Sequence, residues 1–169
     1  LFWVFLTILH FDLTFFIYTF DVTFNSPLAQ PWNAVVGNVI SAIVGVTCFK
    51  IFGESIPSEN VETLLGLHGM NWIAAPFAVS LAITFQFLTS SLHPPGGAIA
   101  LIATIGGAGI KRTGYWYVLV PSLLGSVVQV ALGMLINNLS GDEKRRYPRQ
   151  WKPAYFPATC SLMRTTKNE

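Results

Sequence analysis

Charge is what this sequence has least of. Charged residues make up 11% of its 169 positions, against about a quarter in soluble domains, and its mean hydropathy is +0.53. That balance excludes an ordinary soluble domain and implies a membrane protein. The scarcity is uneven. Residues 1–141 hold Lys50, Lys111 and Arg112 as their only basic groups, whereas residues 142–169 hold seven basic residues against Asp142, Glu143 and Glu169. Basic residues gathered behind the last apolar run do not form a stripe on a folded face, so nucleic acid is not an expected partner. Cysteine is also scarce. Cys48 inside an apolar run and Cys160 in the tail give neither a disulfide framework nor a zinc spacing, and no metal or cofactor is expected. No P-loop, dinucleotide fingerprint, nucleophile elbow or HExxH motif occurs, and His93 has no carboxylate or thiol beside it in sequence. An enzyme is therefore not expected. A chain starting at Leu1 leaves room for a leader before it, and no signal or transit peptide is legible.

Long apolar runs are what the sequence does have. About 20 helical residues are needed to cross about 30 Å of hydrocarbon, and residues 1–20, 32–52, 72–92 and 115–139 approach or meet that length. A fifth apolar piece, residues 96–110, is too short to cross unaided. It follows Pro94-Pro95 and is interrupted by Gly106-Gly107 and Gly109, which marks a broken or re-entrant half-helix. In lipid every backbone polar group must be satisfied internally. The expected fold is all-α: a polytopic helical bundle of four transmembrane helices plus this short helix, spanning 1–139, followed by a basic polar tail at 140–169. If the short helix is re-entrant, the Ser26–Pro31 loop and His93 share one side, with the tail on the other; if it crosses, the relation reverses.

The chemistry is concentrated in Ser90-Ser91-Leu92-His93-Pro94-Pro95-Gly96-Gly97, where a titratable residue, two prolines and two glycines interrupt an apolar run. A helix starting near Gly96 is expected to offer N–H groups and the positive end of its dipole to an anion, with His93 beside it able to take a proton. Helix capping with His93 bonded to a carbonyl explains the same residues without a ligand. Gln86, Thr89 and His93 fall on one helical stripe, which should face the bundle or a wet cavity. Gly37, Ser41 and Gly45 recur every four residues and point to close helix packing. Ser122, Ser126, Gln129, Gly133 and Asn137 share a face suited to interhelical hydrogen bonds. His10, Asp12 and Asp21 mark a pathway or a first helix that begins later. Trp3, Trp32, Trp72, Trp116 and Trp151 suit an aromatic belt. Lys144, Arg145, Arg146 and Arg149 suit contact with anionic lipid or docking to a partner.

Several ordered blocks carry a family resemblance. Ser26-Pro27-Leu28-Ala29-Gln30-Pro31-Trp32-Asn33, Gly37-Asn38, Leu92-His93-Pro94-Pro95-Gly96-Gly97-Ala98, Asn137-Asn138-Leu139 and Arg146-Tyr147-Pro148-Arg149-Gln150-Trp151 resemble the signature blocks of the HPP family of integral membrane proteins. The resemblance implies a four-helix membrane protein of bacteria or plastids, with plant plastid members linked to nitrite transport. Two departures stand out. The bulky Phe15-Phe16-Ile17-Tyr18-Thr19-Phe20-Asp21 replaces a small-residue segment of the family, and Asn38 stands where a His is often found.

Together these readings give a leading expectation of a small-anion transporter or channel, nitrite by resemblance, in a homo-oligomer. The expected site joins His93, Pro94, Pro95, Gly96, Gly97, Gln86, Gln30 and Asn33. The alternative is a non-transporting accessory subunit of a large photosynthetic or respiratory membrane complex. A plastid membrane, envelope or thylakoid, is the location the resemblance implies, with a mitochondrial or bacterial inner membrane as alternatives.

Overall fold

A computed structural model describes residues 26–54, 71–139, 141 and 146–151. The expected first span at 1–20, with His10, Asp12 and Asp21, lies outside the described residues, as do most of the acidic loop, Lys144 and Arg145. Among the described residues the fold is all-helical with no strand. A short 3₁₀ turn at Pro27–Ala29 leads into α1 (Pro31–Cys48), which continues through a π-helical turn at Phe49–Glu54. Next come α2 (Asn71–Leu88), α3 (Pro94–Ile105) and α4 (Ala108–Thr113). A wound segment at Val118–Leu123 opens α5 (Leu124–Leu139), with non-helical Val120 before Pro121. Among the described residues two stretches are long and apolar enough to cross a membrane, Pro31–Phe52 and Val118–Leu139, each 22 residues, the second kinked at Val120.

The solvent this bundle is built for can be read from what faces out. On α2, Leu88 is 70% exposed and Phe87 61%, while Gln86 between their turns is 1% exposed. Phe77, Leu81, Ile83 and Phe85 are also exposed, and the buried apolar positions of the same helix are Ala74, Ala75, Ala78 and Ala82. An apolar exterior around a small and polar interior inverts the pattern of a protein in water and fits hydrocarbon outside. An open groove of about 570 Å³ between α1 and α2, lined by residues such as Ile40, Val44, Phe77 and Leu81, belongs to this apolar exterior.

Small residues set the helix spacing inside. A Cβ placed on Gly45 would come within 2.7 Å of the Ala100 carbonyl oxygen and 2.8 Å of the Ala103 Cβ. Only glycine lets α1 and α3 approach this closely, as the small-residue spacing implied. Ala42, Val46, Ile99, Ala103 and Tyr117 close that half of the core, and the Tyr117 hydroxyl donates to the Ile99 carbonyl at 3.2 Å.

The order of contacts corrects the re-entrant arrangement. Gly37, early in α1, lies against Ser91 and His93, whereas Gly45, later in α1, lies against Ala100 and Ala103. α3 therefore runs alongside α1 in the same direction, away from the His93 end, and does not turn back. Its twelve residues give only about 18 Å, and α4 continues the course after the Gly106-Gly107 break. Consequently α5 returns to the starting end, and Tyr147 meets Ala29 there, its hydroxyl donating to the Ala29 carbonyl at 2.9 Å. The start of the tail thus shares a side with the Ser26–Pro31 loop. The physical reason is that the chain reverses at the capped end of α2, which runs antiparallel to α1 with Phe77 stacked on Phe52 and Gln86 beside Gly37, and α3 then packs along α1 through Gly45.

Candidate functional site

The end of α2 creates the site. Ser91 N–H reaches back to the Gln86 carbonyl at 2.8 Å and Ser90 N–H to that of Phe87 at 3.1 Å, with Ser90 at φ +50°. This is a Schellman cap, and it carries a serine where glycine is the usual residue. The chain then extends through Leu92 and His93 (φ −139°, ψ 107°) before Pro94 and Pro95 start α3. Proline fits the first helical turn because it has no N–H to leave unpaired there.

Gln86 is the centre of the arrangement. Its Oε1 accepts the His93 backbone N–H at 2.8 Å, and its Nε2 donates to Ser41 Oγ at 2.6 Å and toward the Gly37 carbonyl at 3.4 Å. Ser41 in turn donates to the Gly37 carbonyl at 2.8 Å. One side chain therefore ties α2 to α1 and to the start of α3. Two glycines make room for it. A Cβ on Gly96 would collide with the Gln86 amide nitrogen and lie 2.6 Å from Ser41 Oγ, and one on Gly37 would lie 2.6 Å from the Ser91 carbonyl oxygen. Gly97, by contrast, meets only Val79 Cγ1 at 3.8 Å.

His93 is 6% exposed. Its Nδ1 lies 3.1 Å from the Leu28 carbonyl oxygen, and its Nε2 is buried with no hydrogen-bond partner. A carbonyl only accepts, so in the neutral ring the proton sits on Nδ1 and Nε2 presents a lone pair. Asn33 Nδ2 donates to the Leu92 carbonyl at 3.0 Å and fixes the approach to His93. Deeper in the bundle a closed circuit joins α1 to α5. Asn38 Nδ2 donates to Ser126 Oγ at 2.9 Å, Ser126 to the Ser122 carbonyl at 2.7 Å, and Ser122 to the Asn38 carbonyl at 3.0 Å. Asn38 Oδ1, also buried, has no partner.

The eight residues expected to form an anion site, His93, Pro94, Pro95, Gly96, Gly97, Gln86, Gln30 and Asn33, do lie at one end of the bundle, but their hydrogen bonds differ from expectation. The helix start is poor in donors: Pro94 and Pro95 have none, Gly96 N–H donates to the His93 carbonyl at 3.0 Å, and His93 N–H is taken by Gln86. The expected cradle of free N–H groups is not formed there, because proline removes donors at the positions where a helix dipole would present them. Gln30 turns toward the tail: its Nε2 donates to the Ser26 carbonyl at 3.0 Å, and its Oε1 accepts from the backbone N–H groups of Arg149 and Gln150, both at 3.0 Å.

The tail contributes residues that periodicity did not single out. Asn138 clamps Tyr147 by its backbone, donating from Nδ2 to the Tyr147 carbonyl at 2.8 Å and accepting from its N–H at 3.2 Å. Tyr147 is 1% exposed, and burial pushes its phenol pKa upward. Arg146 and Arg149 are therefore attached to a docked segment and do not sit on a free tail. Leu28, Ala29 and Gln30 thus hold His93, Tyr147 and the Arg149–Gln150 backbone in succession. The one sequence signal for this clasp was the resemblance of the two blocks; spacing could not show that they meet.

Comparisons with known proteins bear on the same stretch. A family model described as "HPP, transmembrane region" matches residues 18–148. A curated transmembrane protein of Dictyostelium discoideum is 38% identical over 126 residues, covering 75% of this chain and 36% of that protein. A second from the same organism is 36% identical over 127 residues, covering 75% of this chain and 39% of its own length. The chain therefore spans little more than a third of the curated relatives it matches. No solved structure matches.

Proposed function

The chain belongs to the HPP family of transmembrane proteins, and from that premise we propose that it forms a membrane pathway for a small inorganic anion, nitrite by the family resemblance. One observation carries the reading. His93, Gln86, Asn33, Asn38, Ser41, Ser122 and Ser126 are all buried in a bundle whose outer face is apolar, and buried polar groups at membrane depth are expensive unless packing or a solute uses them. Packing accounts for most of their hydrogen bonds and leaves His93 Nε2 and Asn38 Oδ1 over. His93 is the group placed to meet the solute, with Gln86 and Asn33 positioning it. No catalytic step is proposed. Membrane lipids surround the helices, a homo-oligomer completes the pathway, and a plastid membrane is the location supported by the resemblance.

The test is nitrite uptake into liposomes carrying the purified chain, compared with protein-free liposomes and with His93→Ala. Uptake that requires His93, in a variant of unchanged size-exclusion profile, supports the reading; equal uptake by the variant removes His93 from the pathway.

A second reading has its own support. The tight contact of Gly45 with Ala100 and Ala103 fits a domain that serves as a packed brace in a larger organellar membrane complex. Gentle extraction and native sizing separate the two: stoichiometric co-purification with a large assembly favours the brace, and a small homo-oligomer favours transport.

A further inference from the structure

His93 Nε2 and Asn38 Oδ1, both buried without a hydrogen-bond partner, are of one kind. Asn38 Oδ1 is an acceptor, and with Nδ1–H committed to the Leu28 carbonyl, neutral His93 offers a lone pair at Nε2. Around them most donors are engaged: His93 N–H by Gln86, Gly96 N–H by the His93 carbonyl, and the two N–H groups of Gln86 Nε2 by Ser41 and the Gly37 carbonyl, while Asn38 Nδ2 gives one of its two N–H groups to Ser126. A bare anion only accepts hydrogen bonds, so it can satisfy neither of these two acceptors. Buried acceptors are satisfied by a partner that brings hydrogen.

Charge gives the same answer. α1, α2, α3 and α5 contain no Asp, Glu, Lys or Arg, and His93 packs among Leu28, Gln86, Ser91 and Gly37. Tyr147 and Arg149 are clasped to Ala29 and Gln30, next along the chain from Leu28, and Cys48 lies at the far end of α1. Beside His93 a lone anion or a lone imidazolium would meet no counter-charge on these four helices, which is strongly unfavourable at membrane depth. An anion accompanied by one proton is neutral.

We propose that the anion enters the His93 site together with one proton, as the conjugate acid of a weak acid, its O–H directed at His93 Nε2. If the proton crosses, the O–H bond breaks as the Nε2–H bond forms, giving an imidazolium and its anion side by side; the total charge is zero on either side of the transfer. The solute class is thus a small weak oxyacid, and the anion of a strong acid, which brings no proton, is refused. This rests on the transport reading above.

Liposomes holding the purified chain and an internal pH dye test it, with sodium nitrite or sodium nitrate supplied outside and protein-free liposomes subtracted. The expected result is protein-dependent nitrite uptake with one proton entering per anion, nitrate flux at least tenfold lower, and no dependence on membrane potential. His93→Asn retains an amide donor for the Leu28 carbonyl and removes the basic nitrogen, so the variant is expected to keep its size-exclusion profile and lose the protein-dependent acidification. Nitrite uptake without acidification, or nitrate carried equally, overturns the coupling while leaving transport standing. Absence of protein-dependent flux for either anion overturns both. The wild-type selectivity and acidification decide the matter even if His93→Asn does not fold.

Discussion

Gln86 holds His93 by its backbone, accepting its N–H at 2.8 Å across seven residues of chain, and so fixes where the imidazole stands without touching the ring. The same amide reaches Ser41 on α1. Three elements are therefore positioned by one uncharged side chain, which suits a site inside a membrane, where an ion pair in the same role would carry a large desolvation penalty.

Gln86→Ala is expected to leave the His93 N–H without its acceptor and Ser41 without its donor. Each buried group so orphaned costs about 1–3 kcal/mol. A lower midpoint of thermal unfolding in detergent is the outcome to look for, and an unchanged midpoint would mean that water replaces the amide.

Gly96 and Gly97 are neighbours with opposite prospects. Gly96→Ala drives a methyl into Gln86 and Ser41, and a drop in folded yield is expected. Gly97→Ala meets only ordinary contact with Val79, and within a helix alanine is favoured over glycine by about 1 kcal/mol. Equal behaviour of the two variants in a thermal-shift comparison would contradict the packing around Gln86.

Ser90 adopts φ +50° at the cap of α2, a conformation that disfavours residues with a Cβ by about 1–2 kcal/mol. Ser90→Gly should therefore raise the unfolding midpoint while leaving the secondary-structure content as it is. A fall would show that the serine hydroxyl contributes more than the backbone loses.

Tyr147 gives the tail clasp a pH dependence with a definite sign. Its phenol is neutral when docked, and its pKa in the folded protein lies above the ordinary value of 10.0 because burial disfavours the phenolate. The stabilisation is fully present below pH 10.0, the ordinary value, and is lost as pH rises through the folded-state pKa. Tyrosinate absorbance should show one tyrosine titrating late, absent in Tyr147→Phe, and that variant should lose about 1 kcal/mol through the missing bond to the Ala29 carbonyl.

Composition and run length were enough to identify a membrane helical protein, because the hydrocarbon constraint acts on each segment separately. The break after His93 and the small-residue stripe on α1 were equally legible, since proline, glycine and helical spacing are local properties. Some of the expected chemistry was misplaced for a reason that is also local. The rule that a helix start offers N–H groups to an anion holds only if the residues there have them, and Pro94 and Pro95 do not.

What the sequence determined by itself was therefore the solvent, the helices and the break, all properties of neighbouring residues along the chain. Tertiary structure decided which residues share an end of the bundle. It brought Tyr147 to Ala29, 118 positions away, sent α3 alongside α1, and left the Nε2 of His93 and the Oδ1 of Asn38 without partners. These outcomes depend on how closely helices approach and on which hydrogen bonds are consumed when they do. Such competition among distant groups has no signature in residue spacing.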